Sequence, residues 1–132
     1  MSDLYVPYNP NPNQNSGIDC AVRAICKALG QDWDTTYTGL CACGFEIKRM
    51  PSDDYVWGRY LRRKGYRPMF VDAEKEDYTV VDFCLDNPKG TYVLKLPGHL
   101  LCVKDGHYFD TFDSGVELPI FCWVCPSCKK EE

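Results

Sequence analysis

Histidine is scarce in this chain. Only His99 and His107 occur among 132 residues, so any cysteine-based acyl chemistry that needs an imidazole base has few places to find one. Long apolar runs are missing too: nothing approaches the roughly 18 consecutive apolar residues of a membrane span. The opening stretch, MSDLYVPYNPNPNQNSG, lacks the basic region followed by an apolar one that marks an export signal. These absences point to a cytoplasmic chain with no membrane partner. Positive charge is not in excess either. Lys and Arg number 15 against 19 Asp and Glu, a net −4, and they are dispersed apart from the short run Arg62, Arg63, Lys64. No electrostatic footprint for nucleic acid remains.

What the chain does have is length for one core and an excess of thiols. At 132 residues and 45% hydrophobic it is read as a single domain, residues 1–132. Nine cysteines is a high and odd count, and without an export signal they are read as mostly reduced thiols. Cys122, Cys125 and Cys128 form a C-x-x-C-x-x-C run that resembles half of a zinc knuckle. Tetrahedral structural zinc needs four ligands, so Cys41 or Cys43 would have to complete it from across the fold. The expectation is no bound metal and no cofactor, with Cys122 buried in a last core strand and residues 125–132 forming a flexible tail that carries Cys125 and Cys128.

The stretch QNSGIDCAVRAICKAL, residues 14–29, organises the rest. Ser16 followed three residues later by Asp19 reads as a capping-box variant, which starts a helix near Gly17. Ile18, Val22, Ile25 and Leu29 then share one stripe, and Cys20 lies about 200° round from Ile18 at about 100° per residue. Most free cysteines are small buried hydrophobes. A thiol in the first helical turn and off the core stripe is different, because oriented N–H groups and the helix dipole stabilise its thiolate.

Before this helix, residues 1–15 carry Pro7, Pro10 and Pro12 and read as an extended arm with no regular element. After it, a second helix runs from Asp32 to about Leu40, with Cys41-Ala42-Cys43-Gly44 as the turn behind it. Pro51-Ser52-Asp53-Asp54 opens a third helix that Lys64-Gly65 closes. A short strand over 66–71 and a short helix over 78–85 follow. Then β-branched and aromatic runs at 91–96, 99–104, 107–112 and 118–124, separated by Pro97-Gly98, Asp105-Gly106 and Ser114-Gly115, predict an antiparallel meander. Helices first and strands afterwards make the fold class α+β.

Strand parity sorts the two histidines. If Asp105-Gly106 is a two-residue turn, Lys104 pairs with His107, Leu101 with Asp110 and His99 with Phe112, and these last four share one face. His107 points the other way. Asp110 is then a diagonal neighbour of His99, able to hold its tautomer as the third member of a triad does. Asp113 has the opposite parity and serves only if the strand bulges.

The order Cys20, His99, Asp110, with the cysteine opening an early helix and the other two on adjacent strands of a later sheet, resembles the papain-like superfamily of cysteine peptidases. The Asp19-Cys20 pair with Arg23-Ala24-Ile25, and the stretch from Gly98-His99-Leu100 to Asp110-Thr111-Phe112-Asp113, are most similar to bacteriocin-processing peptidase domains of bacterial transporters and to short phage or bacterial relatives. The resemblance implies a papain-like fold, the cysteine helix packed on the C-terminal antiparallel sheet, and a peptide or protein substrate. It also implies an oxyanion-hole side chain about six residues before the nucleophile, where Gln14 stands, with Asn13 and Asn15 as alternatives. Many relatives carry Gly after the nucleophile where this chain has Ala21, and the chain has no room for long substrate-binding insertions. The reading is a cysteine peptidase or related thiol hydrolase or acyl-transfer enzyme. The alternative is a non-catalytic binding module on the same fold, stabilised by zinc through the C-terminal cysteines.

Overall fold

The computed structural model describes residues 3–15, 17–71 and 76–126. In chain order these form β1 (Tyr5–Pro7), α1 (Cys20–Leu29), α2 (Trp33–Ile47), α3 (Asp54–Arg63), β2 (Arg67–Phe70), α4 (Val80–Asp86), β3 (Thr91–Leu96), β4 (His99–Lys104), β5 (His107–Asp110) and β6 (Phe121–Val124). The fold is mixed α+β.

Helix α1 begins at Cys20, not near Gly17, and Asp19 is its N-cap residue without a side-chain capping bond. The Ser16 half of the expected capping box lies outside the described residues. Ile18 therefore precedes the helix, and helical periodicity does not govern it; it is 97% exposed instead of joining the core stripe. The rest of the stripe holds, with Val22 and Ile25 buried, and burial of Ile25 alone stabilises by roughly 1.5–3 kcal/mol. Gly30 closes the helix in the left-handed conformation at φ 67°, its N–H donating to the Cys26 carbonyl.

Helix α2 corrects the turn expected at Cys41-Ala42-Cys43-Gly44. Asp32 caps it by accepting from the Thr35 N–H at 2.7 Å, and the helix continues to Ile47. Its glycines serve close approach: a Cβ on Gly39 would meet the Tyr60 ring at 2.7 Å, and one on Gly44 would meet the Arg49 carbonyl oxygen at 2.4 Å. Asp53 caps α3 through the Tyr55 N–H, and Thr79 with Asp82 form a reciprocal capping box on α4.

The six strands make one mixed sheet in the order β1-β5-β4-β3-β6-β2. Two-residue turns join β3 to β4 at Pro97-Gly98 and β4 to β5 at Asp105-Gly106, since Leu96 pairs with His99 and Lys104 with His107. Asp105 and Gly106 both have positive φ, 50° and 79°, as a type I′ turn requires. Two expectations are corrected here. The last strand does not continue the meander but crosses to the far side of β3, pairing Val93 with Trp123. The N-terminal arm is not free of regular structure: β1 lies parallel to β5, with Val6 opposite Phe109. Pro7 is accommodated because β1 is an edge strand.

Alternation along the strands gives the sheet two buried faces. Val93, Leu100, Trp123 and Cys125 pack with α1, α2 and α3, while Leu94, Leu101, Tyr108 and Cys122 pack with α4. Cys125 is thus a core residue, its N–H bonded to the Thr91 carbonyl at 3.2 Å, and not part of a tail; residues 127–132, with Cys128, lie outside the described residues.

Candidate active site

The N-terminus of α1 meets the beginning of β4 at one end of the sheet. Because α1 packs along β4 on the Leu100 face, its first residue reaches the turn side of that strand. There Cys20 lies beside the Leu100 backbone, whose N–H favours a thiolate. His99, one residue earlier, has the opposite parity, and its ring sits over the sheet end between two elements.

His99 Nε2 lies 2.7 Å from Asp110 Oδ2, and the ring also hydrogen-bonds the Cys20 thiol. Phe112 flanks the imidazole with ring centroids 5.1 Å apart. The Asp105-Gly106 register therefore delivers the diagonal His99–Asp110 pair that parity predicts. His107 opens β5 at the turn end of the hairpin and is exposed.

Asp110 is buried, at 3% exposure, and hydrogen-bonded on both oxygens. The Thr111 backbone N–H donates to Oδ1 at 2.8 Å, and the hydroxyl of fully buried Ser114 donates to Oδ2 at 2.8 Å. Its backbone is fixed as well, because the Asp110 carbonyl accepts from the Tyr8 N–H at 2.8 Å and from the Tyr5 hydroxyl at 3.2 Å. Asp113 is committed elsewhere, to the Tyr108 hydroxyl and the Gly115 N–H.

Burial opposes charge on His99, but hydrogen bonds to Asp110 and Cys20, and the charges on those groups, outweigh it. Its pKa rises from 6.5 to about 9. Burial likewise pushes the Cys20 thiol up, yet the bonds from His99 and the Leu100 N–H, with the positive charges of His99 and Arg23, bring it below the ordinary thiol value. The two shifts share a cause, since each group favours the charged form of the other. Other thiols go the opposite way, with burial pushing Cys84 and Cys102 up to about 12.

Arg23, one turn after Cys20, was not singled out for its charge from the sequence, although its spacing of four from Asp19 carried the signal. It is buried, pairs with Asp19, and lines the Cys20 cleft. Asp19 also accepts from Asn11 Nδ2 at 3.2 Å and Trp33 Nε1 at 3.0 Å, so the residue before Cys20 is fixed from three directions. With Asp19 so engaged, the first-turn N–H groups of Cys20, Ala21 and Val22 have no partner among the described residues. Ser114 also went unnoticed, and its four-residue spacing from Asp110 across a turn was the only hint.

Gln14 is not brought to this cluster. It is exposed, left-handed at φ 58°, and its amide donates to the Asn11 and Asn9 carbonyls at 3.0 and 3.4 Å. It closes the loop of the arm and does not line the cleft. That cleft, about 420 Å³, is lined by Cys20 and His99 together with Arg23, Lys95, Trp57 and Phe112.

The described C-terminal cysteines do not converge. Cys122 and Cys125 pack into cores on opposite faces of the sheet, and no group of metal-ligating side chains forms among the described residues. No helix among the described residues is long and apolar enough to cross a membrane. No protein-family model, curated protein or solved structure matches the chain.

Proposed function

We propose that this chain is a thiol hydrolase of the papain-like cysteine peptidase kind. The observation that carries the reading is the His99 imidazole bonded on one side to buried Asp110 and on the other to the thiol that opens α1. Such a constellation is recognised by geometry and roles rather than by sequence position.

In this mechanism the Cys20 thiolate attacks a peptide carbonyl, and the carbonyl π electrons move to oxygen. The first-turn N–H groups of α1, which have no partner among the described residues, receive the developing oxyanion. Gln14 could join them only by releasing the arm carbonyls. Collapse of the intermediate breaks the C–N bond as the imidazolium gives its proton to the departing amine. A water that loses a proton to His99 then attacks the thioester, releasing the acid and restoring the thiolate–imidazolium pair. Asp110, a positioning residue, holds the ring with its proton on the correct nitrogen and balances its charge.

The test is cleavage of a complex peptide mixture, with new termini mapped by mass spectrometry and Cys20→Ala as the blank. The expected result is a set of termini produced by the wild-type chain alone. No cleavage beyond the blank, together with thiol-probe labelling that is undiminished in Cys20→Ala, would leave a binding module instead.

A further inference from the structure

Three of the four helices among the described residues are capped by the side chain of the residue before them. Asp32 and Asp53 accept from the Thr35 and Tyr55 N–H groups at 2.7 and 2.8 Å, and Thr79 accepts from that of Asp82 at 3.3 Å. All three have extended backbone, with ψ of 169°, 138° and 173°. Asp19 stands at the same position of α1 and carries the same acceptor as Asp32 and Asp53. It caps nothing: its ψ is 27°, and its side chain makes no capping bond.

Its carboxylate is spent elsewhere. Arg23 takes Oδ1, and Oδ2 accepts from both Asn11 Nδ2 and Trp33 Nε1. Asn11 is itself buried and oriented: its Oδ1 accepts from the Asn13 N–H at 2.8 Å, its N–H donates to Asn9 Oδ1 at 3.1 Å, and its carbonyl accepts from the Gln14 N–H at 2.9 Å. The arm and α2 thus share one carboxylate oxygen and hold it off α1. An N-cap carboxylate ordinarily accepts from the N–H of the second or third helical residue, here Ala21 or Val22. In that place it would consume first-turn donors and set a negative charge beside the Cys20 sulfur, disfavouring both a thiolate and the oxyanion of an acyl transfer. The charged and titratable groups that do line the cleft with Cys20 are Arg23, His99, Lys95 and Asp54. Asp54 is itself engaged, accepting from Trp57 Nε1 at 3.1 Å with Lys95 Nζ 3.5 Å away.

We propose that Asn11 and Trp33 are positioning residues for Cys20, which hold the Asp19 carboxylate off the N-terminus of α1 and so keep its first-turn N–H groups available to the thiolate and the oxyanion. Released, Oδ2 turns to the donors nearest to it, because a buried carboxylate oxygen without a partner is costly. The oxyanion half of this role rests on the hydrolase reading, but the effect on the thiol does not.

Trp33→Phe removes the indole donor and keeps a ring, and Asn11→Leu removes the amide donor at similar volume; neither adds a charge. In the double variant, checked for native circular dichroism, the pH profile of Cys20 alkylation by iodoacetamide should move up by about one pH unit, roughly a tenfold slower rate on its acidic limb. Each single variant should move it less. The same substitutions made on Asp19→Asn, which has no charge to release, should leave the profile where Asp19→Asn alone puts it. An unmoved profile in Asn11→Leu/Trp33→Phe, or an equal shift with and without the Asp19 charge, overturns the proposal, the second result being what a merely structural role gives. Should the double variant fail to fold, Trp33→Phe alone carries the same comparison. A wild-type Cys20 that titrates like an ordinary thiol would sink the hydrolase reading by itself, whereas a shift that depends on Asp19 would still uphold the role of Asn11 and Trp33.

Discussion

Asp110 is the residue on which the His99 geometry depends, and its three donors divide the work. The imidazole takes one oxygen jointly with the Ser114 hydroxyl, and the Thr111 N–H takes the other. Removing the charge while keeping the shape, as in Asp110→Asn, should lower kcat/KM on the order of a hundredfold. It should also shift the alkaline limb of the pH–rate profile to lower pH, because Asp110 is a chief cause of the raised His99 pKa. Ser114→Ala should cost about 1–2 kcal/mol in urea unfolding and move the same limb less, a pH effect that a merely structural serine would not produce. The signs follow from linkage. A histidine raised from 6.5 to about 9 adds stability that is fully present below 6.5 and lost as pH rises through about 9. A thiol lowered from 9.0 adds stability that is present above 9.0 and lost as pH falls through its folded value.

At the scale of elements, the helix glycines discriminate between turn and packing. Gly44→Ala should destabilise by about 1–3 kcal/mol in thermal unfolding, even though alanine favours a helix by about 1 kcal/mol. The new Cβ would lie 2.4 Å from a backbone oxygen that cannot rotate away. The same residue explains why the Cys41–Gly44 turn was misread: sequence offers one glycine for two physical purposes, and only the partner element separates them. The hairpins were legible because their turns are local. Asp105-Gly106 prescribes a type I′ geometry, and alternation then fixes His99 against Asp110. The start of α1 was less legible, since Asp19 reads as an acid within the first turn but is spent on Arg23, Asn11 and Trp33. Strand β1 and the crossing of β6 depend on pairings across most of the chain, which no local pattern announces. Gln14 shows the limit of spacing alone. It stands six residues before Cys20, as the resemblance implies, but its amide is consumed by the arm's own carbonyls.

Across the whole molecule, the site is a junction of distant segments. The N-terminal strand holds the Asp110 carbonyl, α1 brings the thiol, the β3–β4 turn presents His99 and the β5 end presents Asp110. Two cores on opposite faces of one sheet hold these parts in register. The central claim is that folding creates a thiolate–imidazolium pair between Cys20 and His99. The pH dependence of Cys20 alkylation by iodoacetamide, followed by mass spectrometry in the wild-type chain and in His99→Ala, measures it most directly. In the wild type, Cys20 should react ahead of Cys84 and Cys102 and keep its rate below the ordinary thiol value of 9.0. In His99→Ala, that mildly acidic reactivity should vanish, with the remaining limb moved up in pH. Superimposable profiles for the two proteins, or earlier modification of a buried thiol, would contradict the account.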